Sequence, residues 1–143
     1  MAEWILHGDP AGAAVDILTN YTPELTPYAL TNIAKDLVGW SKPQRWITVT
    51  REGGLNKWPK ISKPRLDFYI YAESDNACQD ISNIAEASLF RAAKIYRGCG
   101  VRIHRVVEEV GAIDAYDRLS ESNRYFFTLR LTTTPDPETI PLP

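Results

Sequence analysis

A chain of 143 residues, 44% hydrophobic and 24% charged, is long enough for one ordinary domain with its own core and too apolar to stay disordered. Its formal net charge of −2 excludes the strongly basic footprint of a protein built to grip phosphates. No stretch approaches the roughly 20 apolar residues of a membrane helix, so no membrane partner is expected.

The opening segment Met1–Gly8 has neither a basic start nor a long apolar run, so no secretory leader is expected. The chain is therefore expected to remain in the compartment where it is made, or in a particle assembled there. Asp9-Pro10 reads as a helix start, a capping carboxylate followed by proline in the first turn. Ala14, Val15, Ile17 and Leu18 supply its apolar face, and the helix should end near Asn20, before Pro23. Tyr28 to Lys35 fits either a strand or a helical turn. Trp46-Ile47-Thr48-Val49-Thr50 is β-branched and aromatic and predicts a strand, which Gly53-Gly54 should stop. Leu55 to Lys63, set among Gly53, Gly54, Pro59 and Pro64, reads as an exposed loop.

Leu66 to Tyr71 alternates and predicts a second strand, with Leu66, Phe68 and Ile70 on one face and Asp67, Tyr69 and Tyr71 on the other. Ser74 can cap the next helix, along which Ala77, Ile81, Ile84, Ala85, Ser88, Ala92 and Ile95 recur at spacings of three and four. Arg91, Lys94 and Arg97 suit its C-terminal end, and Gly98 and Gly100 should terminate it. Val101 to Val110 predicts a third strand. Its apolar phase slips between Ile103 and Val106, the mark of a bulge or a twist. Gly111 to Asn123 reads as a polar loop. Arg124 to Thr133 predicts a fourth strand, with Tyr125, Phe127, Leu129 and Leu131 facing opposite to Phe126, Thr128, Arg130 and Thr132. Residues 134–143 hold four prolines and read as an extended tail.

This order predicts an α+β fold: a single, mostly antiparallel sheet of about four strands with two helices packed on one face. One domain should span residues 1–133, followed by the tail at 134–143.

No catalytic pattern is present. His7 and His104 have no metal ligands at zinc spacing, and the nearest group, His104 with Glu108 and Glu109, is separated by strand geometry. Asp75, Asp80 and Glu86 read as a solvated helix face. Gly53-Gly54 lacks the phosphate-loop pattern, and no nucleophile elbow occurs. Cys78 and Cys99 read as small buried or half-buried free thiols. No enzyme activity, cofactor or metal is expected. The candidate functional residues are those of an interface. Arg45, Lys57, Lys60, Lys63 and Arg65, with Trp46 and Trp58, make a basic and aromatic segment that is either a solubilised loop or a partner contact. Tyr69, Tyr71 and Phe126, with Arg130 on the same strand face as Phe126, lie opposite the core stripe, where they meet a covering helix, solvent or a neighbour.

Val49-Thr50-Arg51-Glu52-Gly53-Gly54, Lys63 to Ala72, Gly100 to Val106 and Arg124 to Leu131 together give a pattern that resembles the tail terminator proteins of long-tailed bacteriophages, particularly those of actinobacterial hosts. The resemblance covers about Trp46 to Thr133 and a first helix of the right kind. It implies a small α+β domain that assembles as a ring, typically of six copies, on the head-proximal end of the tail tube. The ring would stop tube growth and present a docking surface to the head connector, and DNA would pass through its lumen without sequence-specific binding. It implies a place in the virion, at the tail–neck junction, and no catalytic residues. A head-closure or head–tail joining protein of the phage neck is the nearest alternative. A small cytoplasmic ligand-binding domain or enzyme is the alternative from another class.

Overall fold

A computed structural model describes residues 8–30, 32–35, 45–57, 61–114 and 123–136, with the backbone alone for residues 52–57, 112–114 and 123. Helix α1, Pro10–Asn20, starts where the capping pattern placed it: the Asp9 carboxylate accepts the Gly12 N–H at 2.9 Å, with Pro10 in the first turn. A 3₁₀ helix, Pro23–Tyr28, follows. Strand β1 (Asn32–Ala34) comes next, then β2 (Trp46–Lys57), β3 (Ile61–Ala72), helix α2 (Asp75–Ala92), and strands β4 (Arg97–Gly98), β5 (Val101–Asp114) and β6 (Asn123–Pro135).

The fold is α+β with one mixed sheet of six strands in the order β1-β2-β3-β6-β5-β4. The sheet is larger than the mostly antiparallel one of about four strands expected, because β1 and β4 add short borders, and it is mixed because β1 pairs in parallel with β2. Both helices pack on one face. Ala13, Ala14, Ile17 and Leu18 of α1 and Ala77, Cys78, Ile81, Ala85 and Leu89 of α2 share a core with Ile47, Val49, Leu66, Phe68, Ile70, Val101, Ile103, Phe127, Leu129 and Leu131 from the strands. Phe68 and Phe127 are directly paired across β3 and β6 and stack at 4.7 Å, nearly parallel. Fully burying each ring contributes about 1.5–3 kcal/mol, and the ring pair adds about 0.5–1.5 kcal/mol.

Two glycines were expected to end β2, but the strand passes through them. Arg51 pairs with Leu66 and Gly54 with Pro64, so Glu52 and Gly53 together face Arg65 in a bulge that absorbs the break. The segment expected as a loop, Leu55 to Lys63, instead forms the end of a β2–β3 hairpin, with Leu55, Asn56 and Lys57 opposite Lys63, Ser62 and Ile61. Its tip, residues 58–60, lies outside the described residues. Pro64 fits inside β3 because the β3–β6 ladder skips it, running from Ser62↔Thr133 to Arg65↔Arg130, so its missing N–H is not required there.

Helix α2 is capped by Ser74, which accepts the Ala77 N–H, but it ends at Ala92 rather than reaching Ile95 and the glycines. The chain is diverted to the sheet: the Lys94 N–H donates to the Ile103 carbonyl, and the Ile103 N–H donates to the Tyr96 carbonyl. Lys94 takes φ 70° to make that turn, and Ile95 is left outside the core. Strand β5 carries the slip read from its sequence, with His104 bulging between Ile103↔Thr133 and Arg105↔Thr132. It has two further irregularities, at Glu109 and at residues 111–112. Of the polar loop expected from Gly111 to Asn123, residues 111–114 belong to β5 and Asn123 to β6, and residues 115–122 lie outside the described residues. Of the tail expected at 134–143, Thr134 and Pro135 belong to β6, and residues 137–143 lie outside the described residues. Strand β6 runs to Pro135, and Asp136 is buried with its N–H donated to the Gly100 carbonyl.

Candidate interaction surface

The face of the sheet turned away from the helices is built in rows by strand register. Trp46, Tyr71 and Arg124 stand side by side; then Thr48, Tyr69 and Phe126; then Thr50, Asp67 and Thr128; then Arg65 and Arg130. This face is less open than its sequence suggested. Trp46 and Tyr71 are only 4% and 5% exposed, so neither offers a partner much surface, and Thr128 and Asp67 are buried as a hydrogen-bonded pair at 2.7 Å. Tyr69 and Phe126 are half-buried and lean on each other at 5.1 Å, and the Arg124 guanidinium sits 5.0 Å above the Tyr69 ring. Arg130 is half-buried and pairs with Glu109 at 2.5 Å, and Arg65 lies 3.7 Å from Asp67.

Of the residues expected to form an interface, Trp46, Tyr69, Tyr71, Phe126 and Arg130 thus share one face, and Tyr69, Phe126 and Arg130 keep partial exposure there. Lys57 ends β2 opposite Ile61, far along the hairpin. Trp58 and Lys60 lie outside the described residues, as does His7. The basic and aromatic segment is therefore split. Arg45 forks onto Glu73 and donates to the Tyr28 carbonyl at the opposite end of β2 from Lys57. Lys63 and Arg65 lie on β3.

The borders of the sheet are the more open feature. Strand β1 covers only Trp46, Ile47 and Thr48 of β2. Strand β4 covers only Val101 and Arg102 of β5, with Ile103 tied to the turn after α2. Among the described residues, strand pairing along the outer border of β2 stops at Thr48 and along that of β5 at Arg102. Exposed backbone donors and acceptors in such a row are a template for another strand. Strands β2 and β5 run antiparallel to each other, as three successive antiparallel pairings require.

A cleft of about 410 Å³ opens between the C-terminal ends of α1 and α2, lined by Ile17, Tyr21, Ala92, Ile95, Tyr96 and Arg97 among others. The Tyr96 hydroxyl donates to Asp16 at 2.6 Å, and burial together with that carboxylate pushes its pKa up. Arg91 donates to both Glu24 oxygens, which holds the Glu24 carboxyl down at about 2.

Helix α2 carries one pairing that its sequence pattern concealed. Glu86, expected on a solvated face, is half-buried against Glu108 of β5. Its Oε1 is shielded from solvent and accepts no hydrogen bond among the described residues. Burial first, and the Glu108 carboxyl second, push Glu86 up to about 7. Nothing in a single helix repeat signals a partner 22 residues away on a bulged strand.

Among the described residues no group of three histidine, cysteine or carboxylate side chains converges as a metal site. His104 is exposed and its Nε2 lies 2.7 Å from the Thr134 hydroxyl, away from any such group. Cys78 is buried, its thiol donating to the Ile70 carbonyl at 3.7 Å, and Cys99 is half-buried; the two are not joined in a disulfide. Burial raises the Cys78 pKa to about 11 and also raises that of Cys99, so neither is poised as a thiolate nucleophile. No helix among the described residues is long and apolar enough to cross a membrane.

No protein-family model and no curated protein matches this chain.

Proposed function

We propose that this protein is a phage tail terminator, a structural virion protein acting by shape. It would form a ring of copies, six by the sequence resemblance, on the head-proximal end of the tail tube. There it would stop tube growth and offer a docking surface to the head connector, leaving DNA free to pass through the lumen.

The observation that supports the reading is the pair of borders, on opposite sides of one sheet, along which strand pairing among the described residues stops after two or three positions. A ring needs two different, mutually complementary patches on each copy, because its contacts run head to tail. The β5 border of one copy could receive the β2 border of the next as an antiparallel partner, continuing the sheet from copy to copy. The bulges and the charges of β5 (Arg105, Glu108 and Glu109 among them) would restrict that pairing to a strand of matching shape and charge. This support comes from the borders. The aromatic face contributes little, since Trp46 and Tyr71 are already covered within one copy.

Native mass spectrometry of the purified protein, alone and mixed with tail tube protein, tests the reading. A discrete ring, or a ring that appears on tube ends and halts their growth, is the expected result. A monomer at every concentration, with tubes that elongate regardless, overturns it. Electron microscopy of a lysate lacking the protein separates the two neck readings: overlong tails mark a terminator, and normal-length tails detached from heads mark a joining protein.

A further inference from the structure

We infer that the sheet face turned away from the helices carries, at its β4–β5–β6 end, a strip that holds the phosphate backbone of double-stranded DNA, with Lys63, Arg65, Arg102 and Arg105 as its contacts. The inference does not depend on the terminator reading.

Strand register builds the strip. Val101, Ile103, Leu129 and Leu131 are buried in the core shared with the helices, so the residues alternating with them point the other way. Arg97, Arg102 and Thr134 stand side by side there; then Arg105 and Thr132; then Val107 and Arg130, with Arg65 beyond. Lys63, two residues before Arg65, belongs to the same face. His104, bulged out of the ladder, reaches the Thr134 hydroxyl and joins them. Against these cations stand the carboxylates of Asp67, Glu109 and Asp136. Asp136 is taken by Arg97 at 2.7 and 2.9 Å, with Arg102 3.8 Å away, and Glu109 by Arg130. Arg65 lies 3.7 Å from Asp67 and 3.9 Å from Glu109, beyond hydrogen-bond reach of both. Among the described residues Lys63 and Arg105 have no carboxylate partner. Arg105 is exposed and Arg102 is 51% exposed, so positive charge on this face is left over and open to solvent.

The chemistry of the strip selects phosphate. Its cations are mostly arginines, whose planar fork matches phosphate oxygens, and the Thr132 and Thr134 hydroxyls beside them add neutral donors. Ile61 and Val107 are exposed at opposite corners, which gives a protein partner no apolar centre to bury. No tryptophan, tyrosine or phenylalanine stands in these rows, so unpaired bases find no platform to stack on. From Thr134 to Arg130 along β6, and from β4 across to β3, the strip measures about 14 Å each way. That length spans about four phosphates of one DNA strand. It falls far short of the roughly 16 bp over which double-stranded RNA is held. The formal charge of −2 on the whole chain keeps the contact weak and salt-labile, and backbone contacts alone leave it blind to sequence.

The test is fluorescence anisotropy of a labelled DNA duplex titrated with the full chain at low and moderate salt. With about two or three phosphates neutralised, affinity should fall about 10- to 40-fold between about 50 and about 200 mM salt. Duplexes of unrelated sequence should bind alike. Arg105→Gln and Lys63→Gln, which have no ion pair to lose, should each weaken binding and lower the log–log salt slope by about 1. Arg91→Gln makes the same charge change on helix α2 and should leave binding as it was. No binding at the lower salt, equal weakening by all three variants, or tighter binding of the single strand overturns the inference. So does poly-glutamate of equal charge competing as well as the duplex, because the strip would then fit an acidic protein surface instead.

Discussion

Glu86→Gln isolates the carboxyl pair between α2 and β5. Burial and Glu108 raise the Glu86 pKa from 4.5 to about 7. The folded state therefore holds this proton more tightly than the unfolded chain does. Between pH 4.5 and 7 the folded state binds more protons, so the group's contribution to stability falls as pH rises through that window. Below pH 4.5 the group is neutral in both states and imposes no penalty; above pH 7 the penalty is complete. A shift of about 2.5 units corresponds to about 3.4 kcal/mol at full weight. Glu86 is only half-buried, and screening by nearby solvent reduces this to about 1–1.5 kcal/mol. Glutamine keeps the shape, carries no charge and can donate its amide to Glu108. Urea unfolding of both proteins across pH 4.5 to 8 should show Glu86→Gln equal to the parent at the acid end. At pH 8 it should be more stable by about 1 kcal/mol, or about 2–4 °C in Tm. A difference that does not vary with pH, or a variant less stable at pH 8, would refute the reasoning.

Two further substitutions test the turn and the anchor at the far end of the sheet. Lys94→Gly relieves a side chain held at φ 70° and should raise stability by about 0.5–1 kcal/mol in thermal unfolding, because the Lys94 backbone N–H still bonds the Ile103 carbonyl. Asp136→Asn removes the charge that receives the Arg97 fork and keeps the backbone bond to Gly100. The carboxylate is 4% exposed but Arg97 is partly solvated, so a loss of about 1–3 kcal/mol in denaturant unfolding is expected.

The parts of the fold legible in the sequence were those set by neighbours along the chain. Asp9, Pro10 and Ser74 act on backbone groups within three residues, so both helix starts fell where the capping pattern put them. The alternation of Leu66, Phe68 and Ile70, and of Phe127, Leu129 and Leu131, named the core face because a paired strand must bury one side. What escaped was decided by distant partners. Gly53, Gly54 and Pro64 read as breakers, yet a bulge and a gap in the β3–β6 ladder accommodate all three in the long hairpin. The apolar stripe of α2 continued to Ile95, but hydrogen bonds to Ile103 ended the helix first. Tyr71 was read onto the correct side of the sheet, and Trp46, which its sequence assigned to no face, stands beside it there. Their burial depended on neighbours in the adjoining strands, which alternation alone does not rank.

The middle of the sheet joins β3 to β6, whose paired residues are separated by some 51 to 71 positions, as from Ala72↔Asn123 to Ser62↔Thr133. On the ribosome, β2 and β3 emerge and can form their hairpin well before β6 exists. Until then Leu66, Phe68 and Ile70 have no neighbour on their far side, and Phe68 lacks the ring it will stack on. Closing so long a loop is slow compared with forming a hairpin. The nascent protein thus passes through a stage in which the border of β3 that β6 will pair with stands open, and that stage is when chaperone capture or premature aggregation would compete with folding.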